Sequence, residues 1–164
     1  MKFSCTSKII KIIKDKPLSS LDINDEFNWY VDLLKLGRKR YFLFTHEKTL
    51  FSFISYMGTN KHLKEFNANF HTRFTEQIIR IYGFDDKFFD QMEKYFQKAI
   101  YCKTTNRSVL GSMNDFKANI MARIANDGES DEVINSINYY LNIMPMGMLN
   151  YQSPMEVFKN AFKL

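Results

Sequence analysis

The sequence predicts an α+β fold in which five or six helices cover a small antiparallel sheet. Two periodicities support this class. Short β-branched and aromatic runs dominate residues 29–57, whereas apolar residues recur every third or fourth position from residue 60 onwards. The chain has 164 residues, of which 45% are hydrophobic and 16% aromatic. We therefore expect a single domain over residues 1–164 that needs neither a metal nor a disulfide to fold.

Five segments have the composition of strands. KFSCT at residues 2–6 predicts an N-terminal strand, and AIYCKT at residues 99–104 predicts a late one. Between them, residues 29–36, 41–45 and 49–57 predict an antiparallel meander, because the connections GRK and HEK are of hairpin length. In the third of these runs Leu50, Phe53 and Tyr56 do not alternate, which indicates either burial on both faces or a bulge.

Helices are predicted wherever the apolar period becomes three or four residues. They cover residues 8–14, 60–82, 85–98, 113–127, 133–141 and 154 to the C-terminus. In the second of them, Phe66, Phe70, Phe74 and Ile78 form one stripe of a helix. Ser153 predicts the N-cap of the last one. The acidic stretch at residues 18–28 predicts a loop.

The net charge of +5 is concentrated in the first third of the chain. Residues 1–50 contain 10 Lys and Arg against 6 Asp and Glu, whereas residues 51–164 contain 13 against 12. This distribution indicates a local basic face, which permits binding to nucleic acid or another anionic partner. The abundance of Lys, Asn, Ile and Phe is equally typical of an AT-rich genome.

Composition also excludes several classes of protein. Cys5 and Cys102 are too few for a disulfide framework, and no Cys or His spacing is typical of a zinc site. Lysines interrupt the N-terminal isoleucines, so no signal-peptide core is present, and no apolar run is long enough to span a bilayer. We expect a cytoplasmic protein without metal, cofactor or membrane partner.

The stretch TTNRSVLGSMNDF, residues 104–116, concentrates polar residues between a predicted strand and a predicted helix. Arg107 suits a phosphate or carboxylate, and unpaired N–H groups at helix starts attract anions. The stretch therefore predicts an anion-binding site with Arg107 and the amides of Gly111 and Ser112 as its main donors. The full set of candidate residues is Thr105, Asn106, Arg107, Ser108, Gly111, Ser112, Asn114 and Asp115.

The same stretch fits a capped turn that holds no ligand. Ser112 and Asp115 have the spacing of a capping box, and Arg107 is placed to pair with Asp115 or to cover apolar surface. The GxxxxGK pattern of a phosphate-binding loop is absent. The residues alone leave both interpretations open.

A second candidate site is the basic run at the tip of the first hairpin. Arg38, Lys39 and Arg40, with Lys35 just before them, suit a phosphate backbone or an acidic protein surface. The alternative is a solvated turn that keeps the sheet from pairing with its neighbours.

The sequence contains no recognisable catalytic set. His46, His62 and His71 share no metal spacing, and there is no GxSxG nucleophile motif. The acidic residues near positions 85 and 131 are typical of helix starts rather than of paired catalytic carboxylates.

Five segments together resemble a bacterial domain family of unknown function that is about as long as this chain. They are MKFSCT, WYVDLL, GRKRYFLFTHEKTLFSF, TNRSVLGSMNDF and LNIMPMGMLNYQSP. The resemblance implies that residues 105–115 lie on the family's signature, and that Pro145, Met146 and Tyr151 lie on a second one. Other members tend to have Asn where His46 stands, which weakens a catalytic role for this histidine. The family brings no established activity with it.

From these observations we expect a non-enzymatic binding protein of the bacterial or phage cytoplasm. Its partner would be nucleic acid or a protein complex already loaded with nucleic acid. Size and composition also fit a mobile-element inhibitor of a host defence system. Two alternatives stay open. One is an enzyme acting on a phosphorylated or nucleotide-like ligand, with Arg107 as clamp and Asp115 or His46 as base. The other is a protein-interaction adaptor without a small ligand.

Overall fold

The computed structural model describes residues 1–12, 26–58, 66–96 and 99–164. In this part of the chain one five-stranded sheet is covered by six helices, which confirms the α+β class. The strands are β1 (Lys2–Cys5), β2 (Asn28–Leu36), β3 (Lys39–His46), β4 (Ser52–Tyr56) and β5 (Ile100–Lys103). The helices are α1 (Ser7–Ile10), α2 (Phe66–Tyr82), α3 (Asp86–Phe96), α4 (Arg107–Asp127), α5 (Asp131–Ile143) and α6 (Pro154–Phe162).

Some of the predicted segments lie outside the described residues. These are residues 18–25 of the predicted loop, residues 13–14 of the first predicted helix, residues 60–65 of the second, which include His62, and residues 97–98 of the third.

The sheet is mixed, with strand order β4-β3-β2-β1-β5. The meander is antiparallel as predicted: β2 pairs with β3 from Trp29↔His46 to Leu36↔Lys39, and β3 pairs with β4. The prediction of an antiparallel sheet is wrong for β1, which runs parallel to both β2 and β5. A parallel neighbour needs a long crossover, and the 22 residues between Cys5 and Asn28 are enough for one.

One face of the sheet, the aromatic face, is covered by α2, α3 and α6. The predicted stripe on α2 is confirmed, because Phe66, Phe70, Phe74 and Ile78 are all buried there. The rings of Phe66 and Phe70 contact those of Phe3, Trp29 and Phe44 in the sheet, edge to face and at centroid distances near 5 Å. Packing between aromatic rings thus stabilises the contact between the helices and this face of the sheet.

The other face, the aliphatic face, is covered by α4 and α5. Its core is made mostly of aliphatic side chains from these helices packed against the sheet. The main contributors are Leu34, Leu43, Ile54, Val109, Met113, Phe116, Ile120, Ile137 and Leu141. Since helices cover both faces, Ser52, Phe53, Ile54 and Ser55 of β4 are all buried, which is one of the two outcomes that its irregular pattern predicted.

The outer edge of β4 is closed by two asparagine side chains of α5. The Asn142 carboxamide accepts from the Ser52 N–H at 2.8 Å and donates to the Ser52 carbonyl at 2.7 Å. One helical turn earlier, Asn138 makes the same pair of bonds with Ile54, at 2.8 and 3.3 Å. Both asparagines are buried, so the two amides replace a neighbouring strand.

Candidate functional site

The signature residues lie mainly in the first turns of α4. The helix begins at Arg107, and its N-cap is Asn106, whose side chain accepts from the N–H groups of Ser108 and Val109 at 3.1 and 3.3 Å. The alternative capping box at Ser112 is therefore wrong. Gly111 and Ser112 lie beyond the first turn, where an α-helix bonds its own N–H groups, so their amides are not available as anion donors.

A buried tyrosine of β2 fixes the turn before α4. The Tyr30 hydroxyl accepts from the Asn106 N–H at 2.9 Å and lies 3.5 Å from the Thr105 N–H and hydroxyl. The same hydroxyl donates to the Glu47 carboxylate at 3.3 Å. Tyr30 is fully buried, so this contact attaches the start of α4 to the aliphatic face of the sheet.

Further polar side chains connect Glu47 to β1 by hydrogen bonds. The Asn28 amide donates to the Glu47 carboxylate at 2.8 Å, and the Ser4 hydroxyl donates to the Asn28 carbonyl oxygen at 3.1 Å. Because Ser4 and Asn28 are buried, the chain of bonds runs from β1 to the signature turn through the interior. These bonds fix the backbone at Thr105 and Asn106, whereas the side chains that follow them at the start of α4 stay exposed.

Most of the signature is exposed. Ser112 is buried and Asn106 is half-buried, whereas the other six residues face solvent: Thr105, Arg107, Ser108, Gly111, Asn114 and Asp115. Arg107 forms no ion pair with Asp115. The helix start offers an anion the Arg107 guanidinium and the Ser108 hydroxyl, since Asn106 already occupies two of the N–H groups. A ligand at this signature stays a prediction.

The second signature forms a tight turn between α5 and α6. Residues 147–149 make one 3-10 turn, and the N–H of Tyr151 donates to the Met146 carbonyl at 2.9 Å. Asn150 and Tyr151 both have left-handed backbone angles, with φ of 53° and 63°. Such angles are uncommon for a tyrosine, and they turn its ring out into solvent, where it is 81% exposed.

The basic run of the hairpin is divided between the two faces of the sheet. Lys35 and Arg40 are direct cross-strand partners and therefore share one face. Lys39 lies on the opposite face, where its ammonium group is 3.1 Å from the Glu129 carboxylate and 5.9 Å from the Tyr56 ring centroid. Arg38 is exposed between the two strands. The four predicted residues do not form one patch.

Lys35 and Arg40 instead border a groove formed by three separate elements. The hairpin of β2 and β3 extends past the end of β1, which stops at Cys5 beside Val31. α1 and α4 flank this extension and leave a groove of about 560 Å³. We call it the basic groove, and its cations are Lys8, Lys11, Lys35, Arg40 and Lys117. Its apolar lining is Ile12, Leu33, Leu34 and Met121.

One of these cations has a buried acidic partner. The Lys117 ammonium group donates to the Asp32 carboxylate at 2.5 Å, and the Thr6 hydroxyl and the Leu33 N–H donate to its other oxygen at 2.7 and 2.8 Å. Burial alone would raise the pKa of Asp32, but these bonds outweigh it and hold the pKa below its ordinary value. Within the described ranges the other four cations of the groove form no ion pair.

The sequence prediction missed three of the five groove residues. Lys8 and Lys11 come from the first twelve residues, and Lys117 comes from the middle of α4. A signal for the first two existed in the charge excess of residues 1–50 and in their spacing of three, which places them on one side of a helix. No comparable signal existed for Lys117.

Neither His46 nor His71, the two histidines that the structure describes, lines the basic groove or belongs to the signature. The His46 ring is buried on the aromatic face, where Nδ1 bonds the Thr49 hydroxyl at 2.9 Å and Nε2 bonds the Glu26 carbonyl at 3.0 Å. The signature turn lies on the opposite face, so His46 does not reach Arg107 or Asp115. The described residues contain no group of three His, Cys, Asp or Glu side chains able to hold a metal ion.

The cysteines lie on neighbouring strands without forming a disulfide. Cys5 and Cys102 are both buried, and Ser4 rather than Cys5 is the partner of Cys102 in the register. Burial raises the pKa of Cys5 to about 12, so this thiol is unreactive at neutral pH. Among the helices formed by the described residues, none has the length and apolar character needed to cross a bilayer.

Sequence comparison confirms the predicted resemblance. No curated protein matches the sequence. The family model described as a domain of unknown function, DUF6933, matches residues 2–157, a range that includes both signatures and all five cations of the basic groove. Because this match covers nearly the whole sequence, the chain belongs to the DUF6933 family.

Proposed function

We propose that this protein is a non-enzymatic binding protein whose basic groove holds a nucleic acid, either free or already carried by another protein. The observation that supports the proposal is the convergence of Lys8, Lys11, Lys35 and Arg40 on one groove, where none of them forms an ion pair with another described residue. A polyanion gains from such a site because each phosphate contact releases bound counterions.

The shape of the groove also suits a nucleic acid. Its floor is apolar and includes Leu33 and Met121, the latter 54% exposed, so sugars or bases can pack there while the phosphates meet the surrounding cations. Arg107 lies ten residues before Lys117 on α4, which corresponds to about 15 Å along the helix axis. An extended nucleic-acid strand that leaves the groove towards the start of α4 therefore reaches the signature. A role for Arg107 in binding follows from the same proposal.

The experiment is fluorescence anisotropy with labelled single-stranded DNA, duplex DNA and RNA at about 50 and 200 mM salt. We expect the affinity of the preferred nucleic acid to fall at least about tenfold over this interval. The double variant Lys35→Ala/Arg40→Ala should bind at least about tenfold more weakly and should lower the slope of log K against log salt by about 1.5 to 2.

The hairpin itself supplies the matched control. Lys39→Ala removes a cation from the same two strands but from the opposite face, so its affinity should stay within about twofold of the wild type. Arg107→Ala tests the signature separately. Equal losses in the Lys39 and the Lys35/Arg40 variants would move the site away from the groove.

Absence of binding to all three nucleic acids would exclude free nucleic acid as the partner. The remaining form of the proposal is then a nucleic-acid-loaded protein, which a pull-down with the same variants tests. A role as a mobile-element inhibitor is a narrower version of this second form.

A further inference from the structure

A second cavity lies at the edge of β4, where α2 and α5 approach each other from opposite faces of the sheet. It has a volume of about 310 Å³ and is mostly polar. We call it the edge cavity. It shares no lining residue with the basic groove.

The asparagine pairing of β4 stops at this cavity. Asn142 pairs with Ser52 and Asn138 with Ile54, and the next position one turn earlier on α5 is Ile134, which has no amide. Outward-facing backbone groups recur every second residue, so the third position on this edge belongs to Tyr56. The Met57 N–H donates inward to the Arg40 carbonyl at 2.9 Å, which agrees with this alternation. The Tyr56 N–H and carbonyl therefore face the cavity, and Asn135 of α5, which also lines it, forms no hydrogen bond with them.

A buried glutamine lines the same cavity. Gln77 of α2 is only 5% exposed, yet no described residue forms a hydrogen bond with its carboxamide. The polar atoms of this carboxamide are not among the fully buried side-chain atoms that lack a partner, so they are open to the cavity and can bond a ligand there. Gln77 thus supplies a second donor and acceptor beside those of Tyr56.

The lining also contains an aromatic ring and charged side chains of both signs, with Glu76 and Asp131 beside the cations. Arg73 and Arg80 lie on the same side of α2 as Gln77, four residues before it and three after it. Arg73 is paired with Glu76 at 2.8 Å, whereas Arg80 has no ion pair with any described residue. The Tyr56 ring is 44% exposed and offers a surface on which a planar group can stack.

We propose that the edge cavity binds a purine mononucleotide. A purine edge carries an adjacent donor and acceptor, the same pair that Asn138 and Asn142 present to β4, and it takes the open position at Tyr56. Gln77 bonds the remaining base atoms, and Arg80 contacts the phosphate. This site goes beyond the proposed function, because it uses none of the groove cations and requires no nucleic acid in the groove.

The test is titration of the full chain with AMP and GMP, followed by calorimetry and by amide chemical shifts. Adenosine and ribose 5-phosphate are titrated separately, to distinguish recognition of the base from recognition of the phosphate. We expect at least one of the nucleotides to bind and to shift the Tyr56 amide resonance. Arg80→Gln should weaken binding at least about tenfold, and Gln77→Leu should do the same. Lys87→Ala, which removes an exposed cation of α3 outside both the edge cavity and the basic groove, should leave nucleotide binding unchanged.

Three results would overturn the proposal. The first is no binding of either nucleotide up to about 5 mM, a concentration at which even a weak complex forms. The second is equal affinity for ribose 5-phosphate and for the nucleotides, since the base would then contribute nothing. The third is unchanged binding in Arg80→Gln, an exposed substitution that does not depend on how the buried Gln77→Leu variant folds. Because the groove variants are measured separately, failure here leaves the nucleic-acid proposal standing.

Discussion

The two faces of the sheet are stabilised in different ways. On the aromatic face, rings of α2 and α6 interlock with those of the sheet, and the Trp29 indole N–H lacks a hydrogen-bond partner within the described residues. On the aliphatic face, directional bonds fix each helix: Tyr30 holds the start of α4, and Asn142 holds α5. Ring packing supplies apolar burial that many arrangements could provide, whereas directional bonds specify one position for a helix. The aromatic face also has such bonds, from Ser55 to Asn69 and from Tyr101 to Asn67, but among the described residues only those on the aliphatic face engage fully buried side chains such as Tyr30 and Asn142.

Directional bonds also set the position of helices that line the candidate sites. The basic groove depends on the position of α4, which the bond between Lys117 and Asp32 sets near the end of β1. The edge cavity depends on the position of α5, which Asn138 sets against β4. We therefore expect substitutions on the aromatic face to lower overall stability, and substitutions of the polar contacts to displace the surfaces that meet a ligand.

The largest effect is expected from Phe70→Ala on the aromatic face. Phe70 is fully buried and lies between 5.0 and 5.7 Å, centroid to centroid, from Phe3, Phe44 and Phe53. Its truncation should lower the free energy of unfolding by about 3–5 kcal/mol, measured by urea denaturation. Ile79→Ala, which removes an exposed apolar side chain from the same helix, should cost less than about 1 kcal/mol.

A cost for Phe70→Ala no greater than that of the polar substitutions below would mean that the aromatic face does not dominate stability. The two faces would then differ in the kind of contact that they make and not in their contribution to the free energy of unfolding.

An intermediate effect is expected from Asn142→Ala at the edge of β4. The substitution leaves the Ser52 N–H and carbonyl buried without partners, so the free energy of unfolding should fall by about 2–4 kcal/mol. Hydrogen exchange should show the Ser52 amide losing its protection, because none of the five strands described lies against that edge. Asn160→Ala, on the exposed side of α6, is the matched control and should be near neutral.

Retention of slow exchange at Ser52 in the Asn142 variant would contradict the idea that this side chain closes the sheet. It would show that α5 docks through its apolar residues alone.

The smallest effect is expected from Asp32→Asn, and it should depend on pH. The variant loses the charged bond to Lys117, at a cost of about 1–3 kcal/mol at neutral pH. Because folding lowers the pKa of Asp32, its contribution is complete above the ordinary value of 3.8 and disappears as the pH falls through the lower folded pKa. Urea midpoints of wild type and variant should therefore differ at about pH 7 and converge as the pH falls below the ordinary value of 3.8 and through the lower folded pKa.

Asp115→Asn, an exposed change on α4, serves as the control and should alter stability little at either pH. A difference between wild type and Asp32→Asn that persists unchanged at low pH would assign the cost to packing rather than to charge.

The fold could be predicted where apolar periodicity is unbroken. The stripe from Phe66 to Ile78 and the hairpin of β2 and β3 follow directly from it. The start of α4 was misplaced by six residues because two polar residues, Asn106 and Ser112, are both suited to an N-cap. Val109 belongs to the same stripe as Met113 but lies inside the polar signature, where a single apolar residue carries little weight. The parallel pairing of β1 is non-local and leaves no local pattern.

The candidate sites were harder to predict, for a related reason. Asn138 and Asn142 look like surface residues in the sequence, and only the approach of α5 to β4 shows that they are buried and bonded. The hairpin cations were found, but the pleat of the strands separates Lys39 from Lys35. Assembly of the groove brings together α1, β2, β3 and α4, and such convergence depends on tertiary structure.

The side chains of Asn138 and Asn142, which cover the edge of β4, make the integrity of the sheet depend on a helix, α5. A strand edge that is covered by side chains instead of another strand becomes a template for a second chain as soon as the cover detaches. Transient release of α5 would expose Ser52 and Ile54 to pairing between molecules, while the opposite edge, β5, has only four residues to offer. Resistance to aggregation therefore depends on how long α5 stays docked, a kinetic quantity that the overall stability of the domain does not determine.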